Sequence, residues 1–307
     1  MTMDARVKNM NPIASFDLRA WSAERLALVE QALSNWVAAD TPAGLGQAMR
    51  YAVLDGGKRL RPLLVLGASE AVGGNREAAL RAACAVELIH AYSLVHDDMP
   101  CMDNDVLRRG KATVHVKFGQ ASALLAGDAL QALAFELLTP QPEQVPLAMQ
   151  ASLCHLLARC AGSAGMAGGQ AIDLASVGVK LDEARLREMH RLKTGALLQG
   201  SVLMGAACGA PTALSREALA AYGAAIGLAF QVVDDILDVT ADSATLGKTA
   251  GKDADNDKPT YVTLLGAAQA RKMAAELHAE ALQSLAQFGE RARRLRELAD
   301  FIVIRKY

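Results

Sequence analysis

Apolar residues recur at three- and four-residue spacings along most of this chain. The pattern is clearest in residues 22–38, 79–96, 120–138, 147–161 and 215–238. Such spacing places apolar side chains on one face of an α-helix, whereas a half-buried strand needs strict alternation. Aromatic residues make up only 4% of the chain, which also disfavours strands. The sequence therefore predicts an all-α fold.

A stretch of 22 residues, Thr194–Ser215, carries no charged side chain. A helix that is apolar on all sides belongs in a membrane or at the centre of a large bundle. Gly and Ser residues within the stretch favour the bundle, and we expect no stable membrane insertion. We see no repeat and no domain-scale linker, so we expect one domain over residues 1–307, with residues 1–16 mobile.

Charge and cysteine content restrict the partners and the compartment. The chain has 32 basic and 33 acidic side chains and a net charge of −1, so we expect no nucleic-acid partner. The five cysteines lack the paired spacing of a disulfide or zinc framework, and the first residues lack an apolar export segment. These features predict a reducing, cytoplasmic location.

The first of two acidic clusters follows an apolar helix and contains Asp97, Asp98 and Asp103. On a straight helix Asp103 would point away from Asp97. Pro100 removes a backbone donor, so the helix should bulge or end near Met99. That change of direction would bring Asp103 back beside Asp97.

The second cluster lies in the segment FQVVDDILD, where Asp234 and Asp238 share a helix face with Gln231 and Asp235 beside them. Two carboxylates about 6 Å apart repel by roughly 3 kcal/mol at an effective dielectric constant near 20. Solvated surface charge is the common explanation for one such run. Two matching clusters in apolar helices, 137 positions apart, favour a site that binds an opposite charge.

Oxygen ligands without histidine or cysteine spacing select a hard cation, Mg²⁺ or Mn²⁺. Magnesium held by a few carboxylates usually completes its shell with phosphate oxygens and water. The two clusters therefore predict a diphosphate substrate, with metal ions between it and the carboxylates.

Five motifs carry a resemblance to a known family. They are GGKRLRP (56–62), IHAYSLVHDDMPCMDNDVLRRG (89–110), GGQAIDL (168–174), HRLKTGAL (190–197) and GLAFQVVDDILD (227–238). Together they resemble the trans-polyprenyl diphosphate synthases, most closely the bacterial farnesyl diphosphate synthases. The resemblance implies an antiparallel helix bundle around a deep cavity (the isoprenoid synthase fold), a homodimer, and three Mg²⁺ ions in each active site.

The resemblance also implies roles for individual residues. Asp97, Asp98 and Asp103 would hold two metal ions on the allylic diphosphate, and Asp234 would hold the third with support from Asp235 and Asp238. The remaining side chains would bind substrate: Arg108, Lys193, Lys248 and Lys258 the allylic diphosphate, Lys58, Arg61, His90 and Arg109 isopentenyl diphosphate, and Thr194 and Gln231 the developing allylic cation. Residues 239–260 form a polar stretch inside a compact domain, and such stretches tend to be functional loops.

Tyr92 and Ser93 precede Asp97 by five and four residues, about 6–8 Å along the helix. A ring there should stop a growing isoprenoid tail. In similar synthases with the insertion found here, Met99 and Pro100, an aromatic residue at this position accompanies a farnesyl product. Geranylgeranyl or geranyl diphosphate synthase is the alternative, and a terpene cyclase or a noncatalytic subunit is more distant. The preferred allylic primer and the role of the C-terminal VIRKY stay open.

Overall fold

The computed structural model describes residues 12–54, 56–179, 181–240 and 260–304, and almost all of its regular structure is helical. The predicted all-α fold is confirmed. The helices are α1 Pro12–Trp36, α2 Leu45–Val53, α3 Leu60–Val72, α4 Arg76–Asp97, α5 Val114–Phe118, α6 Gln120–Leu138, α7 Leu147–Ala161, α8 Met166–Ala175, α9 Glu183–His190, α10 Ala196–Ala207, α11 Ala213–Thr240, α12 Tyr261–Leu265, α13 Ala267–Ser284 and α14 Arg293–Ile304.

Short irregular elements connect these helices. Pro42–Gly44 and Ala286–Ala292 are 3₁₀ turns, and Arg191–Gly195 is a π-helical turn between α9 and α10. Strands β1 Leu107–Arg108 and β2 Lys111–Ala112 form a small antiparallel hairpin after α4. The assignment of the whole chain to one domain stays a prediction. Of the residues expected to be mobile, 1–11 lie outside the described part, and α1 begins at Pro12.

Helix α4 is buried along most of its length and leads directly to the first acidic cluster. Asn75 caps its N-terminus, because its side-chain oxygen accepts a hydrogen bond of 2.9 Å from the Ala78 amide. The helix packs against α3, α6 and α10, and Leu88 and Ile89 are completely buried. The helix is thus a largely buried core element, and its last residue, Asp97, is acidic.

Helix α10 confirms that the charge-free stretch forms a core helix. Leu197, Leu198 and Val202 are completely buried, and the helix packs against both α3 and α11. At Gly205, a Cβ atom would lie only 2.2 Å from the Val65 carbonyl oxygen. Only glycine therefore allows α10 to approach α3 this closely.

Three helices are long and apolar enough to cross a membrane by length and composition alone, namely α4, α6 and α11. In α4 and α11, 67% and 61% of the most apolar window is buried inside the protein, so packing in the bundle accounts for their hydropathy. The value for α6 is only 39%, and Leu124 and Leu125 on this helix are exposed. Helix α6 thus presents an apolar face that the described chain leaves uncovered.

A second group of buried side chains lies around α11, α12 and α13. Val232 and Val233 pack there with Tyr261, which is completely buried at the start of α12. Val233 immediately precedes the second acidic cluster. The core thereby fixes the helix face on which Asp234 and Asp238 lie.

Leu64→Ala should lower the free energy of unfolding by about 2–5 kcal/mol, because it leaves a cavity at a completely buried position in α3. Leu214→Ala is the matched control, since Leu214 is 69% exposed and should change stability by about 0.5 kcal/mol or less. Urea unfolding of both variants measures the difference. Equal losses would contradict the assigned core.

Candidate active site

The first acidic cluster lies in a tight turn after α4. The helix ends at Asp97, and the Met99–Asp103 segment folds back, so the helix end that Pro100 predicts is confirmed. The Asp103 amide donates to the Asp97 carbonyl oxygen at 2.9 Å. Asp103 therefore returns to the end of the helix, where its charge acts on Asp97.

Burial raises the pKa of Asp97 to about 6. The neighbouring charges act in both directions: Lys193 and Arg108 favour the carboxylate, while Asp103 and Asp98 disfavour it. The balance disfavours the ionised form, because burial and like charges outweigh the two cations. A bound cation would reverse this balance, which is the electrostatic condition expected of a metal ligand.

Asp98 has a different environment from Asp97. Its side chain is buried and accepts hydrogen bonds from Arg108, with Nε 2.9 Å from both Oδ1 and Oδ2 and Nη2 2.5 Å from Oδ1. Both oxygens are therefore engaged by one guanidinium. This ion pair argues against the expected role of Asp98 as a metal ligand and makes it the residue that holds Arg108 in place.

In the second acidic cluster, as in the first, the aspartates differ in their burial and in their partners. Asp235 is buried, with Oδ1 accepting from Gln231 Nε2 at 2.8 Å and Oδ2 accepting from the Tyr261 amide at 2.8 Å. Thr194 Oγ1 in turn donates to Gln231 Oε1 at 3.1 Å. Asp235 thus orients Gln231 and anchors the start of α12. Asp234 and Asp238 are only partly buried on the same helix.

The π-helical turn Arg191–Gly195 presents Lys193 and Thr194 to the site. Lys193 Nζ lies 2.6 Å from Asp173 Oδ2, and among neighbouring charges Lys193 acts most strongly on Asp97. A Cβ at Gly169 would lie 2.0 Å from the Lys193 amide, so glycine is needed for α8 to come this close. The sequence placed Asp173 in the motif GGQAIDL but gave no reason to prefer a site role over helix packing.

Arg61, Arg109 and His90 form a third group next to the carboxylates, which we call the basic group. Arg109 and Gly110 form the two-residue turn of the β1–β2 hairpin, both with positive φ (52° and 74°), as a type I′ turn requires. The Arg109 guanidinium lies over Gly57, where a Cβ would be 2.7 Å from Nη1. Arg61 Nε is buried and has no hydrogen-bond partner among the described residues.

His90 lies on α4, seven residues before Asp97, within this basic group. Burial, reinforced by the charges of Arg61 and Arg109, holds the pKa of His90 well below its usual range. The imidazole is therefore neutral at physiological pH. It can donate one hydrogen bond and accept another without adding charge.

The two acidic clusters and the basic group border the same region. Lys193 acts on Asp97, while its neighbour Thr194 bonds to Gln231, one turn before Asp234 and Asp235. The charge of Asp234 also acts on Arg61. The structure therefore brings together residues from α3, α4, α11 and the π-helical turn that lie far apart in sequence.

The donors of this region suit a hard cation. Within the described ranges, no three carboxylate, histidine or cysteine side chains form a complete metal site by themselves. Carboxylates on two separate helices would instead each supply one or two oxygens, leaving positions for phosphate oxygens and water, as Mg²⁺ prefers. The raised pKa of Asp97 fits this arrangement. Asp97, Asp103, Asp234 and Asp238 are the residues that would hold the ions.

Tyr92 and Ser93 lie on α4 one turn before the first acidic cluster. The Tyr92 ring packs edge-on against His96, with ring centroids 5.7 Å apart, and its hydroxyl group interacts with the Gln131 side chain of α6. Ser93 Oγ donates to the His90 carbonyl oxygen at 2.9 Å. The sequence did not reveal Gln131 as a neighbour of Tyr92, because that contact depends on how α6 packs against α4, whereas His96 lies one turn after Tyr92 on α4 itself.

Some of the predicted residues lie outside the described part of the chain. They are Lys248, Lys258, the rest of residues 241–259 in the expected functional loop, and the C-terminal Arg305–Tyr307.

A separate cavity of about 680 Å³ is lined by residues of α1, α3 and α4, among them Arg25, Glu70 and Glu77. It contains none of the predicted site residues, and we assign the chemistry to the carboxylate region instead.

The sequence model of the polyprenyl synthetase family matches residues 42–298. The chain belongs to this family. It is 45% identical over 304 residues to a geranylgeranyl pyrophosphate synthase, chloroplastic, of Capsicum annuum, covering 98% of this chain and 82% of that protein. It is 47% identical over 284 residues to a probable farnesyl diphosphate synthase of Bradyrhizobium diazoefficiens, covering 91% and 85%.

The solved structures agree with this membership. The crystal structure of an FPP/GFPP synthase from Zymomonas mobilis superposes with a TM-score of 0.85 at 42% identity, covering 94% of this chain and 99% of that one. The fold is therefore the isoprenoid synthase fold, and the chain is a prenyltransferase that acts on isoprenyl diphosphates. The relatives are named for products of different length, so family membership alone does not give the length of this protein's product.

Asp97→Asn should raise the melting temperature of the metal-free protein at pH 8 and do so much less at pH 4.5. The folded-state pKa of about 6 exceeds the usual value of about 3.9 for an unfolded chain. Ionisation of Asp97 therefore costs stability that is absent below about pH 4 and complete above about pH 6. Thermal unfolding followed by circular dichroism measures this. An equal gain at both pH values would contradict the shifted pKa.

Proposed function

We propose that the protein is a Mg²⁺-dependent farnesyl diphosphate synthase, which joins isopentenyl diphosphate head-to-tail to dimethylallyl and then geranyl diphosphate. The family uses a divalent metal for catalysis. Our choice of Mg²⁺, with Mn²⁺ as a substitute and three ions per site, rests on the carboxylate donors described above. Prenyl transfer follows from family membership, and the farnesyl product is our inference.

The observation that supports a farnesyl product is the position of Tyr92. Its ring lies about 7 Å along α4 from Asp97, on the side where the tail of an allylic diphosphate bound at Asp97 would extend. The contacts with His96 and Gln131 keep the ring from swinging aside. An aromatic ring fixed at this distance from Asp97 would close the end of the tail-binding site, which then has room for a short isoprenoid only.

In this mechanism different residues of the chain bind the allylic diphosphate, isopentenyl diphosphate and the developing cation. Arg108, held by Asp98, and Lys193, held by Asp173, bind the allylic diphosphate, while the basic group binds isopentenyl diphosphate. Mg²⁺, when bound, supplies positive charge to the leaving diphosphate, which lowers the barrier to breaking the allylic C–O bond. The Thr194 and Gln231 oxygens face the resulting carbon cation.

The bond-forming step conserves atoms and charge. The allylic C–O bond breaks, and the diphosphate leaves with its electron pair. The double bond of isopentenyl diphosphate then attacks the allylic cation, and the new cation loses a proton to the released diphosphate to give the longer allylic diphosphate. Binding both substrates in one apolar region keeps water from capturing the cation.

Geranylgeranyl diphosphate synthase is the second candidate. Relatives from Capsicum annuum and Catharanthus roseus carry that name at 45% and 46% identity. We prefer the farnesyl product because overall sequence identity does not report on product length, whereas Tyr92 lies where we propose that the isoprenoid tail ends. Geranyl diphosphate synthase would use the same two acidic clusters and basic group and differs only in product length. A terpene cyclase and a noncatalytic subunit are less consistent with two complete acidic clusters and a basic group.

Two further properties belong to this proposal. Leu124 and Leu125 on α6 are exposed apolar side chains, and such a helix face suits a homodimer. The five cysteines are all unpaired, which suits a reducing cytoplasm.

Incubation with labelled isopentenyl diphosphate, with and without dimethylallyl or geranyl diphosphate, tests the function. We expect Mg²⁺-dependent chain growth that requires the primer and yields mainly farnesyl diphosphate by mass spectrometry. A mainly geranylgeranyl product would favour the second candidate. A cyclic hydrocarbon, or no reaction, would refute the proposal.

Tyr92→Ala should lengthen the main product by one isoprene unit or more, because it removes the floor of the tail site. Tyr92→Phe is the matched control: it keeps the ring and loses only the hydroxyl group that interacts with Gln131, so farnesyl diphosphate should still dominate. Mass spectrometry of extracted products distinguishes the two. An unchanged product in Tyr92→Ala would show that Tyr92 does not set the length.

Ser93→Phe should shorten the main product to geranyl diphosphate, because a ring at this position blocks the tail site closer to Asp97. Ser93→Ala controls for loss of the hydrogen bond to the His90 carbonyl and should leave product length unchanged. Continued farnesyl output from Ser93→Phe would count against this role.

A further inference from the structure

Arg59 lies in the middle of the basic motif GGKRLRP but is turned into the protein. Its side chain is only 3% exposed, and all three of its guanidinium nitrogens have partners. Nε lies 2.6 Å from Glu30 Oε1, Nη1 lies 2.6 Å from Glu87 Oε1, and Nη2 donates to the Val53 carbonyl oxygen. Each guanidinium nitrogen of Arg59 is therefore held by a protein group, so Arg59 serves as an anchor, while the proposed function assigns Lys58 and Arg61 on either side of it to substrate binding.

The backbone at this anchor is held in an unusual conformation. Arg59 has φ 46° and ψ 35°, the left-handed region that non-glycine residues rarely adopt. Such a conformation persists when surrounding contacts fix it. The three side-chain contacts of Arg59 supply that restraint at the start of α3, so they also set the directions in which Lys58 and Arg61 leave the backbone.

Glu87 is the buried partner in this anchor. It is 3% exposed and lies on α4, three residues before His90, so the two side chains share a helix face. Burial lowers the pKa of both Arg61 and Arg109, and in each case Glu87 is the neighbouring charge that opposes this most. Glu87 is thus a negative charge placed behind a group of cations.

We propose that Glu87 is a positioning residue for isopentenyl diphosphate: its buried ion pair with Arg59 fixes the start of α3, from which Lys58 and Arg61 extend, and its charge keeps Arg61 and Arg109 together when the pocket is empty. The inference rests on the proposed function, which assigns this pocket to isopentenyl diphosphate. Glu87 itself does not touch the substrate in this account.

The allylic site provides an internal comparison. Arg108 is held by Asp98 and Lys193 by Asp173, and neither pair involves Glu87 or Arg59. Loss of the Glu87 charge should therefore weaken isopentenyl diphosphate binding while leaving allylic diphosphate binding almost unchanged. A general loss of folding would instead affect both substrates and the yield of active enzyme together.

The principal variant is Glu87→Gln, which keeps the size of the side chain and removes its charge. We expect the KM for isopentenyl diphosphate to rise about tenfold or more, since hydrogen bonds to charged groups contribute roughly 1.5–3 kcal/mol. The KM for geranyl diphosphate should stay within about twofold of wild type, because the Asp98–Arg108 pair is retained. Glu87→Asp, which retains the charge, should recover part of the affinity.

Glu297→Gln is the matched control for loss of a buried ion pair. Glu297 is 9% exposed and accepts from Arg293 Nε at 2.9 Å and from Arg294 Nη1 at 2.8 Å, on a helix that contributes no residue to the site. This variant should lower the melting temperature and leave both KM values unchanged. Glu77→Gln, which breaks the exposed pair with Arg81 on α4 itself, should change neither property.

The double variant Arg59→Met/Glu87→Met keeps the test valid if the single variant folds poorly. Replacing both members of a buried ion pair by apolar residues is often neutral or stabilising, whereas removing one is destabilising. We expect the double variant to regain the melting temperature of wild type but to keep the raised KM for isopentenyl diphosphate. Recovery of that KM would overturn the positioning role.

Steady-state kinetics with each substrate varied separately, together with calorimetric binding of isopentenyl diphosphate alone, separates the outcomes. Wild-type turnover combined with an unchanged isopentenyl diphosphate KM in Glu87→Gln would overturn this inference and leave the proposed function intact. Equal increases in both KM values would likewise overturn it. A wild-type protein that neither binds nor consumes isopentenyl diphosphate would overturn both proposals.

Discussion

Negative charge held at the end of an apolar helix is the constraint on which this structure depends. Helix α4 is a core element for most of its length, and its last residue is a carboxylate whose pKa is raised to about 6 by burial. The fold brings more negative charge to the same place, from Asp103 in the following turn. Such an arrangement is stable only with cations nearby. The chain supplies Lys193 and Arg108, and we propose that metal ions bound with a diphosphate complete the balance.

The charged side chains divide into anchors and binding groups. Asp98 holds Arg108, Asp173 holds Lys193, and Glu87 holds Arg59, each through an ion pair with a largely buried carboxylate. Asp235 performs the same task with neutral partners, orienting Gln231 and the start of α12. These anchors fix the directions of the groups that meet substrate. The buried carboxylates Asp98, Asp173, Asp235 and Glu87 therefore bind other protein groups, and the partly buried Asp97, Asp103, Asp234 and Asp238 are the ones that we propose as metal ligands.

The sequence predicted the helices, the end of α4 and the buried helix α10 because these depend on local patterns and on one proline. It could not separate Asp97 from Asp98, since adjacent aspartates look alike until the hairpin returns Arg108 to one of them. Nor could it show that Arg59, in a motif of similar basic residues, points inward to Glu87. Ion-pair partners that are 10 to 28 positions apart in the chain depend on tertiary packing, which periodicity does not encode.

A crystal structure with Mn²⁺ and a nonhydrolysable allylic diphosphate analogue is the most direct test of the central claim. Anomalous scattering from manganese would locate the ions independently of the protein. We expect them between Asp97 and Asp103 on one side and Asp234 on the other, bridged by the diphosphate, with Asp98 still bound to Arg108. Ions bound to only one cluster, or a diphosphate held without metal, would contradict the account.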